Sequence, residues 1–304
     1  MIDARSTLEE ILHLGASDIF VEAGLPLTYR AGGALRHLND IRLKPEDTKE
    51  FVDALYLLAE GRPESRLLEH GDDDFSFHLE GVARFRVSAF RQKGSLSAVL
   101  RVIRFVLPTP EELKIPPEVM ALSALPKGLI FITGPAGSGK TTTLSCLVDE
   151  INRTRSLHIV TLEDPIEYLH MPQKSVVSQR EIITDTDSFL TGLTQALRQS
   201  SDVIVISELN GSEMVSLCMK AAESGRLVFA CLHTPDPQNT LERVIGAFQP
   251  AAQDEAAARL SEVLKAVVSQ DLLLTEDGFL KPRFTLVTID EEKKEMIKRR
   301  EIRK

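Results

Sequence analysis

The chain has 304 residues, 43% of them hydrophobic and 27% charged, with a formal net charge of -9. That balance is globular and the length suits two compact domains, which excludes a disordered chain and a core that needs disulfides or metal to fold. A net negative charge also argues against broad binding to nucleic acid, whose phosphates select basic surfaces.

The first ten residues lack a basic segment followed by a long apolar run, so they do not read as a secretory signal. Nowhere do about 18 apolar residues run together, so no membrane span and no direct membrane insertion is expected. Residues 6–14 read as a short helix leading to the strand-like Asp18-Ile19-Phe20-Val21. Gly24 and Pro26 turn the chain into Leu27-Thr28-Tyr29-Arg30, and Gly32-Gly33 reads as a hairpin turn. Over 46–60, Phe51, Ala54, Leu55 and Leu58 fall on one helix face. Strands are predicted over 75–79, 83–90 and 97–103, with turns at Glu80-Gly81 and Lys93-Gly94. The result is a small sheet with packed helices.

Residues 107–117 then contain four prolines, which break regular structure and suit a linker. The division expected is an N-terminal domain over 1–106, a linker over 107–122 and a second domain over 123–304. In the second domain short apolar strands, 129–133, 158–162, 203–207 and 227–232, alternate with helical stretches such as 141–154 and 188–199. This rhythm predicts a parallel α/β sheet, in which chemistry collects outside the carboxyl ends of the strands. Cys146, Cys218 and Cys231 show no CxxC pairing and no zinc-ligand spacing, and their apolar neighbours suit buried free thiols in a reducing cytoplasm. From 291 to 304 there are seven Lys or Arg against four Glu, which reads as a solvated charged tail helix, with a docking patch as the alternative.

Gly134-Pro135-Ala136-Gly137-Ser138-Gly139-Lys140-Thr141 matches GxxxxGK[ST] between a predicted strand and a predicted helix, the context that motif needs. Its glycines let backbone N–H groups point at phosphate oxygens, and the helix N-terminus favours the anion. Lys140 is expected to reach the β- and γ-phosphates and the Thr141 hydroxyl to ligate magnesium, with Thr142 completing the nucleotide-binding set. Glu163-Asp164-Pro165-Ile166-Glu167 places three carboxylates over five residues at the next strand end, suited to activating water and organising magnesium. The strand beginning at Asp202 runs through four apolar residues to Glu208, as a metal-side acidic strand does, and the strand after it ends in His233. His233 is a candidate γ-phosphate sensor or catalytic contact.

Together these residues resemble the secretion ATPase superfamily, specifically the PilT-like retraction branch of type IV pilus (twitching motility) motors. There the P-loop is followed by an Asp box, a Walker B strand ending in glutamate and a His box, matched here at 134–141, 163–167, 202–208 and 227–234. Ser17-Asp18, Ala23-Gly24-Leu25-Pro26, Phe75-Ser76-Phe77, Gly81-Val82-Ala83-Arg84-Phe85-Arg86-Val87 and Ala98-Val99-Leu100-Arg101 likewise resemble the family's PAS-like domain. The resemblance implies a RecA-like P-loop ATPase core with a smaller α+β PAS-like N-terminal domain. It implies Mg2+-dependent ATP hydrolysis by a homo-hexamer, with Arg84, Arg86, Arg101 and Arg104 approaching the phosphates from a neighbouring subunit. Glu163 is expected as general base, with Thr141, Glu163 and Glu208 around the magnesium. An inner-membrane pilus platform protein and a second pilus ATPase are the implied partners, reached from the cytoplasm at the inner face of the membrane.

The branch usually shows Met-Arg-Asp after the Walker B glutamate, where this chain has Leu209-Asn210-Gly211. Ser207 replaces a glycine, Ser224-Gly225-Arg226 stands for Thr-Gly-His, and the family's C-terminal helix motif is not recognisable after Phe284. These departures motivate an alternative expectation, a hydrolysis-impaired, nucleotide-gated regulatory subunit of a pilus or type II secretion-like machine. The retraction branch is favoured over assembly ATPases, which carry a further N-terminal domain and a four-cysteine zinc motif.

Overall fold

A computed structural model of the chain describes residues 3–79, 82–103, 107–274 and 280–301. The chain divides into two compact units, Met1–Phe105 and Val106–Lys304. No helix among the described residues is long and apolar enough to cross a membrane.

The first unit contains α1 (Ala4–His13), β1 (Asp18–Val21), β2 (Pro26–Ala31), β3 (Ala34–Arg42), α2 (Pro45–Leu58), α3 (Ser65–His70), β4 (Asp72–Leu79), β5 (Ala83–Gln92) and β6 (Ser95–Ile103). Its strands form one antiparallel sheet in the order β3-β2-β1-β6-β5-β4. Alternation on β5 sets the two faces: Ala83, Phe85, Val87 and Ala89 are buried while Arg84, Arg86 and Ser88 point the other way. The buried row packs with Leu8 and Ile11 of α1 and Phe51, Val52 and Leu55 of α2 into one core. Buried Asp73 is neutralised by a two-pronged Arg62 (3.1 and 3.2 Å) and accepts from the Tyr56 hydroxyl at 3.1 Å. β3 carries no alternation for a sequence reading to find, because nearly all of it is exposed at the sheet edge. The turn expected at Glu80-Gly81 lies outside the described residues.

The second unit contains α4 (Pro117–Met120), β7 (Gly128–Thr133), α5 (Lys140–Thr154), β8 (His158–Glu163), β9 (Val176–Glu181), α6 (Phe189–Ala196), β10 (Val203–Ile206), α7 (Gly211–Glu223), β11 (Leu227–Leu232), α8 (Pro237–Gly246), α9 (Gln253–Val263), β12 (Leu264–Leu274), β13 (Leu280–Thr288) and α10 (Glu291–Lys298). The sheet order is β13-β12-β7-β11-β10-β8-β9, parallel throughout except for β13. One face, with Ile130, Ile132, Val205 and Phe229, packs on Leu144, Leu147 and Ile151 of α5. The other, with Leu129, Phe131, Ile204 and Val228, packs on Leu193, Val215 and Leu260 of α6, α7 and α9. Strands buried on both faces read as continuous apolar runs, which is why the central four were legible.

The proline-rich stretch expected as a linker contributes Ile115, Val119 and Leu122 to the α5-side core. The charged C-terminal run forms α10, and that helix is not solvated all round. Ile297 is 2% exposed within the α9-side core, and its neighbours pair outward, Lys298 with Glu262 at 2.9 Å and Arg300 with Asp254 at 3.2 Å. Cys146, Cys218 and Cys231 are buried free thiols.

Candidate nucleotide site

The four motif-bearing strands are consecutive in the sheet, in the order β7-β11-β10-β8. At the usual spacing of parallel strands their carboxyl ends span about 14 Å, the scale of a nucleoside triphosphate. Each end delivers one part of the site.

β7 ends at Thr133 and α5 opens at Lys140, so the glycine-rich loop is the whole connection. Gly134, Gly137 and Gly139 hold φ of +147°, +77° and +86°, values that side chains with a Cβ rarely adopt. A Cβ on Gly134 would also lie 2.0 Å from the Gln270 carbonyl oxygen. Gln270, on β12, pins the loop from the neighbouring strand: its Nε2 donates to the Ser138 carbonyl at 2.8 Å and its Oε1 accepts from Thr143 Oγ1 at 2.7 Å. No side chain caps the first turn of α5, and the buried Ser138 Oγ has no hydrogen-bond partner among the described residues. A glycine-rich loop with an uncapped helix N-terminus and an orphaned hydroxyl fits a phosphate group.

Lys140 is buried, with Nζ donating to the carbonyls of Gly134 and Pro135 at 2.8 Å each and lying 3.4 Å from His233 Nδ1. Burial holds its ammonium below the ordinary lysine range, opposed by Cys231, Glu167 and Glu208.

Beside the loop lies a cavity of about 400 Å³. Ala136, Gly137, Gly139, Lys140, Thr141 and Thr142 form one wall. Asp164, Pro165 and Glu167 form a second, and Ser207, Glu208 and His233 a third. A second cavity of about 310 Å³ shares Gly139 and Thr142 and is walled by the apolar Leu113, Ile115, Leu272 and Phe284 together with Glu112 and Lys114, a mixed lining of the kind that takes a base.

Glu163 closes β8 but does not line the larger cavity. It is 6% exposed, and its Oε1 accepts from Thr161 Oγ1 at 2.7 Å and from Gln179 Nε2 at 3.0 Å. Burial pushes this carboxyl above the usual carboxylate range, against those two hydrogen bonds. The carboxylates facing the cavity are Asp164, Glu167 and Glu208. No three acidic or histidine side chains among the described residues come together as a metal cluster, so a magnesium ion would be held mainly through nucleotide phosphates, with the Thr141 hydroxyl and one of these carboxylates as its protein oxygens.

The departures within the motifs fall in two places. Ser207 Oγ accepts from the Asp164 amide at 3.3 Å, and Asn210 Nδ2 donates to Glu208 Oε1 at 2.6 Å, so both sit inside the site's wiring. Arg226 stands at the amino end of β11, away from His233, donating to Leu197 O at 3.0 Å and to Ser201 Oγ at 3.3 Å. It braces loops and takes no place beside the phosphate loop. Asp202 likewise sits at the amino end of β10, accepting from the His158 amide at 2.9 Å.

Arg84, Arg86 and Arg101 belong to the first unit, on the sheet face away from its core. Arg86 and Arg101 are directly paired across β5 and β6, and Arg101 Nε lies 3.4 Å from Asp18 Oδ1. Arg104 lies outside the described residues. The sequence reading missed Gln270 and Gln179, which sit on β12 and β9, two strands it did not draw.

Fold and site together define a P-loop nucleotide-binding protein with a RecA-like core and a smaller α+β N-terminal unit. The chain belongs to the family of type II/IV secretion system proteins, within its PilT-like ATPases: the profile described as "Type II/IV secretion system protein" matches residues 1–298. It is 40% identical over 259 residues to the type IV pilus retractation ATPase PilT of Pseudomonas aeruginosa, covering 85% of this chain and 74% of that one. To the type IV pilus ATPase PilU of the same organism it is 38% identical over 277 residues, covering 91% and 72%. The crystal structure of the pilus retraction motor PilT with bound ADP superposes at a TM-score of 0.92 with 38% identity, covering 99% of this chain and 88% of that one. The Legionella pneumophila ATPase DotB gives 0.81 at 27%, covering 95% and 81%.

Proposed function

We propose that the chain is a Mg2+-dependent, ATP-hydrolysing homo-hexameric motor that retracts type IV pili. The observation that carries this reading is the convergence of Lys140, Thr141, Asp164, Glu167, Glu208 and His233 on one cavity at the carboxyl ends of adjacent strands.

The loop amides and the α5 N-terminus bind the β-phosphate, and Lys140 leaves the carbonyls of Gly134 and Pro135 to meet the β- and γ-phosphate oxygens. Thr141 and Glu208 hold the magnesium, which when bound offsets charge on those oxygens. Glu163 is assigned the general base. Glu163 directly precedes Asp164, which lines the cavity, and both of its described hydrogen bonds fall on Oε1; acting as base needs Oε2 to reach a water admitted past Asp164. His233, beside Lys140, reads the γ-phosphate. Arg84, Arg86 and Arg101 supply charge to a neighbouring subunit's nucleotide, a pilus platform protein at the inner face of the membrane receives the work, and a second pilus ATPase is a further partner.

The motor reading is tested by complementation. In a piliated strain lacking its own retraction ATPase, the intact chain is expected to restore twitching and Lys140→Ala is not. Failure of the intact chain, expressed and hexameric, would remove pilus retraction from the account while leaving nucleotide chemistry standing.

A further inference from the structure

The loop from Asp164 to His170 has to present Asp164 and Glu167 to the nucleotide cavity, yet its central residues belong to neither a helix nor a strand. Among the ties described for it, one side chain on the edge strand of the sheet reaches both of its ends. Gln179 of β9 stands opposite Thr161 of β8 and reaches past it. Its Nε2 donates to Glu163 Oε1 at 3.0 Å and to the Tyr168 carbonyl at 2.8 Å. Its Oε1 accepts from the His170 amide at 2.8 Å. One side-chain amide thus binds the residue before the loop and two residues at its far end.

We propose that Gln179 is a positioning residue for ATP hydrolysis, clamping the 163–170 loop so that its carboxylates stand against the phosphates; this rests on the ATPase reading above.

The geometry demands an amide. Two N–H donors face a carboxylate and a carbonyl, while an acceptor faces an N–H, so the reverse orientation of the group sets oxygen against oxygen. Glutamate has the same shape but offers Glu163 and Tyr168 only acceptors. Methionine fills the space and offers nothing. Asparagine is one methylene shorter on a strand whose backbone is already fixed by pairing to β8. Three other described ties each hold one point of the loop: the Asp164 amide donates to Ser207 Oγ at 3.3 Å, the Ile166 amide to Glu181 Oε2 at 3.2 Å, and Tyr168 OH lies 3.5 Å from Thr142 Oγ1. Through that last contact a shift of Tyr168 reaches the first turn of α5. None of these ties spans both ends of the loop, as Gln179 does. Because small displacements of reacting groups cost orders of magnitude in rate, the loss is expected in turnover rather than in nucleotide affinity.

The test compares Gln179→Met and Gln179→Glu with the intact protein by steady-state ATP hydrolysis, equilibrium binding of a fluorescent ADP, and hydrogen exchange of the peptide covering 164–172. The expected result is a fall in kcat of about tenfold or more in both variants, with ADP affinity within about threefold and faster exchange at the amide of His170. A role in packing alone predicts that methionine is tolerated, and turnover retained in Gln179→Met overturns the proposal. So does unchanged exchange over 164–172 in both variants. If the intact protein fails to hydrolyse ATP, the ATPase reading falls, and the exchange result still decides whether Gln179 clamps the loop.

Discussion

Glu163 sits where its chemistry and its surroundings disagree. Burial disfavours its charge, and a Thr161 hydroxyl and the Gln179 amide only partly compensate. Replacing it with glutamine is expected to leave ATP affinity largely intact and to cut turnover by about 100-fold or more, the scale of a lost general base; steady-state kinetics with a parallel binding titration check this. A stability consequence accompanies it. A carboxyl whose folded pKa is raised binds protons more tightly in the native state, so its ionisation opposes folding as pH rises above the unfolded value. Thermal melting of Glu163→Gln should therefore match or exceed the intact protein at neutral pH, and that advantage should vanish below the ordinary carboxylate range. The cysteines carry a simpler expectation. Burial pushes all three thiols up to about 12, so a thiol reagent at neutral pH should label none in the native protein and three after denaturation. At this scale the phosphate loop was legible because its meaning is contained in eight consecutive residues. Gln270 was not, since the Ser138 and Thr143 it holds lie 132 and 127 positions away.

Among the elements, α10 gives the clearest contrast between charge and burial. Its sequence is dominated by Lys and Glu, and the exposed pairs they form are worth little individually. One apolar side chain, Ile297, is enclosed in the core, and truncating it to alanine is expected to cost about 2–5 kcal/mol. Lys298→Ala should stay within about 0.5 kcal/mol, as surface changes do. Urea titrations of both variants followed by far-UV dichroism check the ordering, and equal midpoints would mean that α10 does not dock. The central strands of the second unit were legible from their apolar runs. β3 was not, because an edge strand with solvent on both faces has no alternation. β12 escaped for a different reason: it begins directly where α9 ends, with no glycine or proline to mark the change.

For the whole molecule, the chain divides into two compact units and belongs to the family of type II/IV secretion system proteins. The resemblance implied a hexamer and a role for arginines on β5 and β6 at a neighbouring subunit's nucleotide. Residue patterns by themselves do not encode subunit geometry, which is why that part rested on family likeness. Light scattering with and without ATP is expected to give six copies in at least one condition, and a monomer in both would reject the ring. The departures from the family pattern do not dismantle the site: Ser207 and Asn210 bond to Asp164 and Glu208 within it, and Arg226 stands at the opposite end of its strand. The central claim is therefore an active ATPase, and the most direct measurement is Mg2+-dependent phosphate release by the purified chain beside Lys140→Ala. Sustained turnover that chelation of magnesium and the Lys140→Ala change each abolish is the predicted result. Tight ATP binding without phosphate release would contradict it, and would make the chain a nucleotide-gated subunit instead of a motor.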